Sequence, residues 1–219
     1  MKKFEFVESS IVFMLDKSIS FTQAVNYTDL VKNHIIGNEW KVDGKKSGIF
    51  SDHDAFTVIE KEKDNLSLRA SYNKGIISSS SKNTIDSDII PKKTKLLLKF
   101  ILSSLKGDVE TSAVGVNFEV EIKTDEPISF FKKEFLSAAS QKISKNSKFS
   151  DISLQLQSYK EAVVNFKISA EKDGYLKIMA NFHTDINSNI DIETPINNYL
   201  DYKNHFINIC NELLGGNNV

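Results

Sequence analysis

Alternation of polar and apolar residues is the feature of this sequence that most restricts its fold. In residues 114–122 every odd position is small or polar, and every even position is apolar: Val114, Val116, Phe118, Val120 and Ile122. A period of two is typical of a β-strand that buries one face. The same alternation recurs in residues 152–159, 162–170 and 175–186. The second half of the chain is therefore predicted to form a sheet with two unlike faces.

Apolar residues at helical spacing flank these strands. After the stretch "TDEP", apolar residues from Ile128 to Ile143 fall on one stripe, and Pro127 suits a first helical turn. A closing helix is predicted from Pro195 to the glycine pair that begins at Gly215. The predicted order of this half is therefore β-α-β-β-β-α.

The first half of the chain predicts a similar order. A strand over 3–15 precedes a helix over 20–36, and a later helix begins at Pro91 and ends at Gly107. The serine-rich segment 78–88 is predicted to be a polar loop. Between the two helices, short strands are predicted at 39–50, 54–62, 65–72 and 75–79.

The two halves, 1–107 and 108–219, are predicted to be an internal repeat that packs as one structural unit. A shift of 109 residues aligns "EKDN" at 62–65 with "EKDG" at 171–174. Such turns are common in unrelated chains, so the prediction rests on element order. The predicted fold class is α+β: a curved antiparallel sheet with long helices on one face and a two-fold β-α-β(3-4)-α repeat.

Composition and charge argue against several classes of function. The net charge is −1, so no general attraction to nucleic acid or to an anionic membrane is expected. Arg69 is the single arginine, although the guanidinium group is the preferred tool for recognising phosphates and bases. Cys210 is the single cysteine, which excludes an internal disulfide and predicts a cytoplasmic location. No membrane partner is expected, and the lysine- and asparagine-rich composition indicates a bacterium or phage.

Three Asn-Phe pairs mark the polar face of the predicted sheet. Each phenylalanine has the parity of the core, so each asparagine projects from the opposite face. Other polar residues of the same strands share that parity. The predicted binding residues are Asn117, Glu119, Asn165, Lys167, Asn181, His183 and Asp185.

Residues suited to catalysis do not form a complete set. His183 and Asp185 project from the same face and could coordinate a metal or orient a general base, but a third group is lacking. The stretch "SDHD", Ser51 to Asp54, is rich in ligand-type residues that are also ordinary turn formers. The phosphate-loop and dinucleotide fingerprints are absent. No catalytic residue, metal ligand or cofactor is therefore predicted.

The element order, a strand and helix followed by a meander and a second helix, twice over, resembles the saddle fold of the TATA-box-binding protein family. This resemblance implies a sheet face that could bind nucleic acid. The layout also resembles a sporadically distributed family of uncharacterised bacterial proteins. Those proteins have a "G-x-x-F/Y" strand, here Gly115 to Phe118, and a late strand that ends in an Asp-Ile motif, here Asp185-Ile186. The second resemblance implies no catalytic residues.

Three hypotheses of function follow. The favoured one is a non-enzymatic binding module whose partner is another protein, a second copy of the chain or a small ligand. The alternative is a nucleic-acid-binding saddle, which is disfavoured because Glu119 and Glu121 share the predicted face with lysines. The third is a metal-dependent hydrolase that uses His183 and Asp185, with His53 as a further group.

Overall fold

A computed structural model describes residues 4–17, 41–42, 48–51, 54–61, 66–71, 76–82, 90–91, 94–95, 110–136, 151–170 and 174–214. Ten strands and three helices have described bounds, and residues 90–91 and 94–95 are also helical. The strands are β1 (Glu5–Leu15), β2 (Lys41–Val42), β3 (Gly48–Ser51), β4 (Asp54–Lys61), β5 (Leu66–Ser71), β6 (Ile76–Lys82), β7 (Thr111–Lys123), β8 (Asp151–Tyr159), β9 (Ala162–Ala170) and β10 (Tyr175–Asp185). The helices are α1 (Pro127–Phe135), α2 (Thr194–Asn197) and α3 (Tyr199–Leu213).

All ten strands belong to one antiparallel sheet. Its order is β2-β4-β5-β6-β1-β7-β10-β9-β8, and β3 pairs with β4. The first strand thus lies in the middle, hydrogen-bonded to β6 on one side and to β7 on the other. The predicted α+β class with an antiparallel sheet is confirmed. The predicted helix over 20–36 lies outside the described residues, and the curvature, the long helices and the internal repeat stay predictions.

The core lies between the apolar face of the sheet and helix α3. Phe118 of β7 stacks on Phe206 of α3, with ring centroids 5.7 Å apart. Phe182 of β10 stacks on Tyr202 in the same way at 4.7 Å. All four side chains are buried, as the alternation predicts for Phe118 and Phe182. The opposite face of β7, β9 and β10 carries the odd-numbered residues.

Strand β6 corrects one prediction. The loop predicted over 78–88 begins in fact inside a strand, because β6 extends to Lys82. Its serines pair with β1 on one side and with β5 on the other. Backbone hydrogen bonds to two neighbours outweigh the weak strand propensity of serine. The rest of that segment lies outside the described residues.

The turn between β8 and β9 is held by helix α3. Lys160 and Glu161 both have positive φ, 46° and 68°, which two-residue hairpin turns require but side chains other than glycine or asparagine disfavour. The hydroxyl of Tyr202 donates to the carbonyl of Lys160 at 3.0 Å. The Lys160 ammonium also pairs with Asp201. Contacts with α3 therefore stabilise a turn that the local sequence does not favour.

The closing helix is divided. The sequence predicts one helix from Pro195, whereas the structure has α2 and α3 with Asn198 between them. The carboxylate of Asp191 accepts hydrogen bonds from the backbone N–H groups of Glu193 and Thr194, each at 2.8 Å. Cys210 of α3 is buried in the core. No helix of the described part of the chain is long and apolar enough to cross a bilayer.

Candidate binding face

A row of polar side chains crosses the face of the sheet opposite to α3. Strand register places one residue of this row on each of five neighbouring strands, with the strands about 4.8 Å apart. We name these residues the amide row, in spatial order from β1 to β8: Ser10, Asn117, Asn181, Asn165 and Gln155.

Hydrogen bonds join one end of the amide row. The Asn181 Nδ2 atom donates to Asn117 Oδ1 at 2.7 Å, and Asn117 Nδ2 donates to Ser10 Oγ at 3.1 Å. Both bonds are partly buried, where such bonds polarise one another. The chain leaves a hydroxyl donor at Ser10 and an amide acceptor at Asn181. The row therefore offers both donors and acceptors to a bound group.

Gly115 makes room for this arrangement. A Cβ atom at this position would lie 2.8 Å from Asn181 Nδ2 and 3.7 Å from Met14 Cε. The first distance is shorter than a van der Waals contact, so any side chain here would displace the Asn181 amide. The close packing of that amide against the strand thus depends on a glycine.

Charged residues lie beside the amide row. Glu8 is opposite Glu119 in register. Lys177 Nζ lies 3.1 Å from Glu119 Oε1 and 3.2 Å from Glu121 Oε1. Hydrogen bonding to Glu119, and then to Glu121, raises the pKa of Lys177 against the opposing effect of burial.

On β9, Lys167 Nζ lies 3.3 Å from Asp151 Oδ2 of the neighbouring strand. Acidic and basic groups of this face therefore largely compensate one another.

A cavity of about 650 Å³ opens on this face. All five residues of the amide row line it, together with Glu8, Glu119, Lys167 and Met179. This volume is within the range of about 300–1,000 Å³ that is usual for ligand sites. The cavity combines neutral amides with a neighbouring row that carries Glu8, Glu119, the thioether of Met179 and Lys167.

The seven predicted binding residues all lie on this face. Five of them line the cavity: Asn117, Glu119, Asn165, Lys167 and Asn181. His183 and Asp185 continue β10 beyond it, with His183 Nε2 3.1 Å from Asp185 Oδ1. Neither residue lines the cavity, and the Asp185 side chain is 81% exposed. Their role in binding stays a prediction.

Sequence reasoning missed the residues that β1 and β8 contribute. Ser10 and Glu8 belong to β1, and Gln155 belongs to β8. Parity alone would have placed Gln155 on the polar face, since "SLQLQ" alternates, whereas "ESSIVFML" on β1 does not alternate and leaves the face of Glu8 and Ser10 unmarked. Their meeting with Asn117 required the register between strands that are far apart in sequence.

Groups suited to catalysis are not gathered in the described part of the chain. No three residues among its His, Cys, Asp and Glu are placed to hold a metal ion. Burial raises the pKa of the Cys210 thiol to about 12, which disfavours a thiolate nucleophile. Ser51 and Asp54 pair across β3 and β4, whereas His53 lies outside the described residues.

Comparisons with known proteins add little to this geometry. No protein-family model matches the chain, and no curated protein matches it in sequence. Among solved structures the chain is similar to Methanococcus jannaschii TBP, at 10% identity, over 94% of this chain and 99% of that one, with a TM-score of 0.29. The predicted resemblance to the TATA-box-binding protein family is thus seen only weakly. Such a score carries no functional argument, so the site is interpreted from its own residues.

Proposed function

We propose that this chain is a non-enzymatic binding module that holds a neutral, polar ligand on the amide row. The observation that carries the proposal is the hydrogen-bonded chain from Asn181 through Asn117 to Ser10 along the wall of a cavity of ligand size. Partly buried amides need partners for their remaining donors and acceptors. A ligand that supplies both kinds of group would satisfy them.

Charge supports a neutral ligand. Two lysines beside the amide row are paired with carboxylates, at 3.1 Å for Lys177 and Glu119 and at 3.3 Å for Lys167 and Asp151. A strongly anionic ligand would have to compete with Glu8 and Glu119, which lie side by side in the cavity. Uncharged groups avoid that competition.

The test is a thermal-shift screen of the purified protein with nucleosides, neutral mono- and disaccharides, and short uncharged peptides. We expect at least one class to raise the unfolding temperature of the wild type. Asn181→Ala should lower the affinity for that ligand about 5- to 10-fold, because one hydrogen bond contributes about 1 kcal/mol. Asn204→Ala, which removes an exposed amide from α3, is the matched control. The absence of any shift, or equal affinities in both variants, would contradict the proposal.

Nucleic acid is the second candidate, because asparagine and glutamine amides can read the minor groove of A·T-rich DNA. A fluorescence-anisotropy titration with an A·T-rich duplex over a salt series distinguishes nucleic-acid binding from binding of a neutral polar ligand. Binding that weakens with salt and is lost in Asn181→Ala would favour this candidate. Binding that the substitution leaves unchanged would exclude the amide row as its site.

We also propose that the two halves are an internal repeat. From the centre of the sheet outward, one half runs β1-β6-β5-β4 and the other β7-β10-β9-β8. In each half the first strand of the half lies beside its last strand. This symmetry of strand order supports duplication more directly than the few aligned residues do.

A further inference from the structure

Strand β8 is the outermost strand at one end of the described sheet. It pairs with β9 along one side only, in regular register from Asp151 to Leu156. Beyond Leu156 the register shifts, and the strand bends toward the Lys160 turn. The backbone groups on its other side form an open edge in the described part of the chain.

Before the register shift at Leu156, this edge lacks two of the usual protections against pairing. Edge strands are commonly guarded by charged residues or proline. The segment 152–158 contains neither. The nearest charges, Asp151 and Lys160, lie at its ends and are paired with Lys167 and Asp201.

The same edge carries exposed apolar surface. Leu154 is 44% exposed, although it lies opposite the buried Phe166 and has the parity of the core. Ile152 and Leu156 flank it on the same side and are half-buried. A strip of three apolar residues therefore runs along the open edge.

We infer that β8 pairs with β8 of a second copy, antiparallel and about a two-fold axis at Leu154. Residues directly opposite each other on antiparallel strands project from the same face of the sheet. A two-fold axis that pairs a residue with the same residue of the second copy therefore keeps the apolar side chains of both copies on one face. An axis at Leu154 lies at the middle of the apolar strip 152–156 and sets Ile152 opposite Leu156 of the other copy. The interface is isologous, as two-fold dimers require.

Pairing also extends the binding face. Ser153 and Gln155 line the cavity of their own copy. In the dimer Ser153 lies opposite Gln155 of the second copy, and Gln155 lies opposite Ser153. Both copies therefore contribute polar groups where the two sheets join. This consequence rests on the proposed function, whereas the pairing itself does not.

The contact is short, so the dimer is expected to be weak. Five paired residues and one apolar strip bury less surface than the roughly 1,200–2,000 Å² of stable interfaces. Association should therefore depend on protein concentration.

Analytical ultracentrifugation over a concentration series tests the pairing. We expect the wild type to pass from monomer to dimer and Leu154→Asp to weaken the dimer at least tenfold. Ile128→Asp and Leu200→Asp, at 44% and 41% exposure on other surfaces, are matched controls and should dimerise like the wild type. A wild type that stays monomeric at millimolar concentration, or equal effects of all three substitutions, would overturn the inference.

Cross-linking tests the register without destabilising charge. Side chains directly opposite on paired strands have Cβ atoms about 4.5–5.5 Å apart, close to disulfide spacing. Leu154→Cys should form a disulfide-linked dimer under mild oxidation much faster than Ile128→Cys or Leu200→Cys. Cys210 does not compete, because it is buried and the pKa of its thiol is raised to about 12. Equal rates in the three variants would contradict the Leu154 axis.

The two proposals fail separately. A monomeric wild type that still binds a screened ligand would overturn the pairing and leave the binding module in place. A wild type that dimerises but binds no screened ligand would overturn the binding module and leave the pairing of β8 in place.

Discussion

At the scale of single residues, the amide row depends on a position that has no side chain. Parity predicts that Asn117 and Asn181 share a face, and they do. Their hydrogen bond also requires the space that Gly115 leaves beside Asn181. An absent Cβ leaves no signal in a hydrophobic pattern, so this part of the site could not be read from the sequence.

Gly115→Ala should displace the Asn181 amide while leaving the fold intact. The new Cβ would lie 2.8 Å from the end of a flexible side chain, which can move at small cost. Losing the hydrogen bond costs about 1 kcal/mol, and the stiffer unfolded chain returns about 0.4–1 kcal/mol. We therefore expect a small change in the free energy of unfolding and a clear shift of the Asn181 side-chain amide signals in ¹⁵N NMR spectra.

Gly174→Ala is the matched control for that substitution. Gly174 has a φ of +85°, and an added Cβ would meet only the Thr124 carbonyl, at 3.6 Å. Backbone strain of roughly 1–2 kcal/mol should destabilise this variant without moving the amide signals. Unchanged Asn181 signals in Gly115→Ala would contradict the packing described for the amide row.

At the scale of elements, alternation predicted the strands of the second half better than those of the first. Strands β7, β9 and β10 bury one face, and a buried face leaves a strict period of two. Strand β6 contains a run of four serines, which shows no alternation of polar and apolar residues. Its pairing with β1 and β5 could therefore not be predicted from its own composition. The break at Asn198 did leave a signal, since Asn197 and Asn198 are poor helix formers and Asn198 is the N-cap of α3, but asparagine also occurs inside helices.

Asp191 should make the start of the closing helices sensitive to acid. Hydrogen bonds from the Thr194 hydroxyl, then from the Thr194 and Glu193 N–H groups, lower its pKa below the ordinary value of 3.8. A lowered carboxyl pKa stabilises the fold above the unfolded pKa, and that stability is lost as pH falls through the folded pKa. Asp191→Ala should therefore lower the unfolding temperature at pH 7, and the difference from the wild type should shrink on acidification below 3.8.

The exposed Asp125, which precedes α1, provides the comparison. Asp125→Ala should change the unfolding temperature little at any pH. A difference between Asp191→Ala and the wild type that stays constant across the acid range would show that the Asp191 hydrogen bonds do not depend on its charge.

At the scale of the whole molecule, β1 joins the two halves. It supplies the buried Ile11 and Phe13 to the core and pairs with β7 over most of its length. The antiparallel class could be predicted because each strand carries its own pattern. The central β1–β7 pairing could not, since partners about a hundred residues apart share no local signal.

The half 108–219 should not fold alone. Without β1, strand β7 would expose an unpaired edge beside its buried Val114, Val116 and Phe118. We expect this fragment to aggregate or to form oligomers, and coexpression with residues 1–107 to restore a soluble complex. Circular dichroism and light scattering are the measurements. A monomeric fragment that unfolds cooperatively would contradict the central role of β1.

The central place of β1 also bears on how the protein is made. Ribosomes add about 5–20 residues per second, so several seconds separate the completion of β6 from that of β7. During this interval one side of β1 has no native partner, although its apolar residues have already emerged. A nascent chain of this design is therefore most vulnerable to misassembly in mid-synthesis, and slower translation between residues 82 and 123 would lengthen its dependence on chaperones.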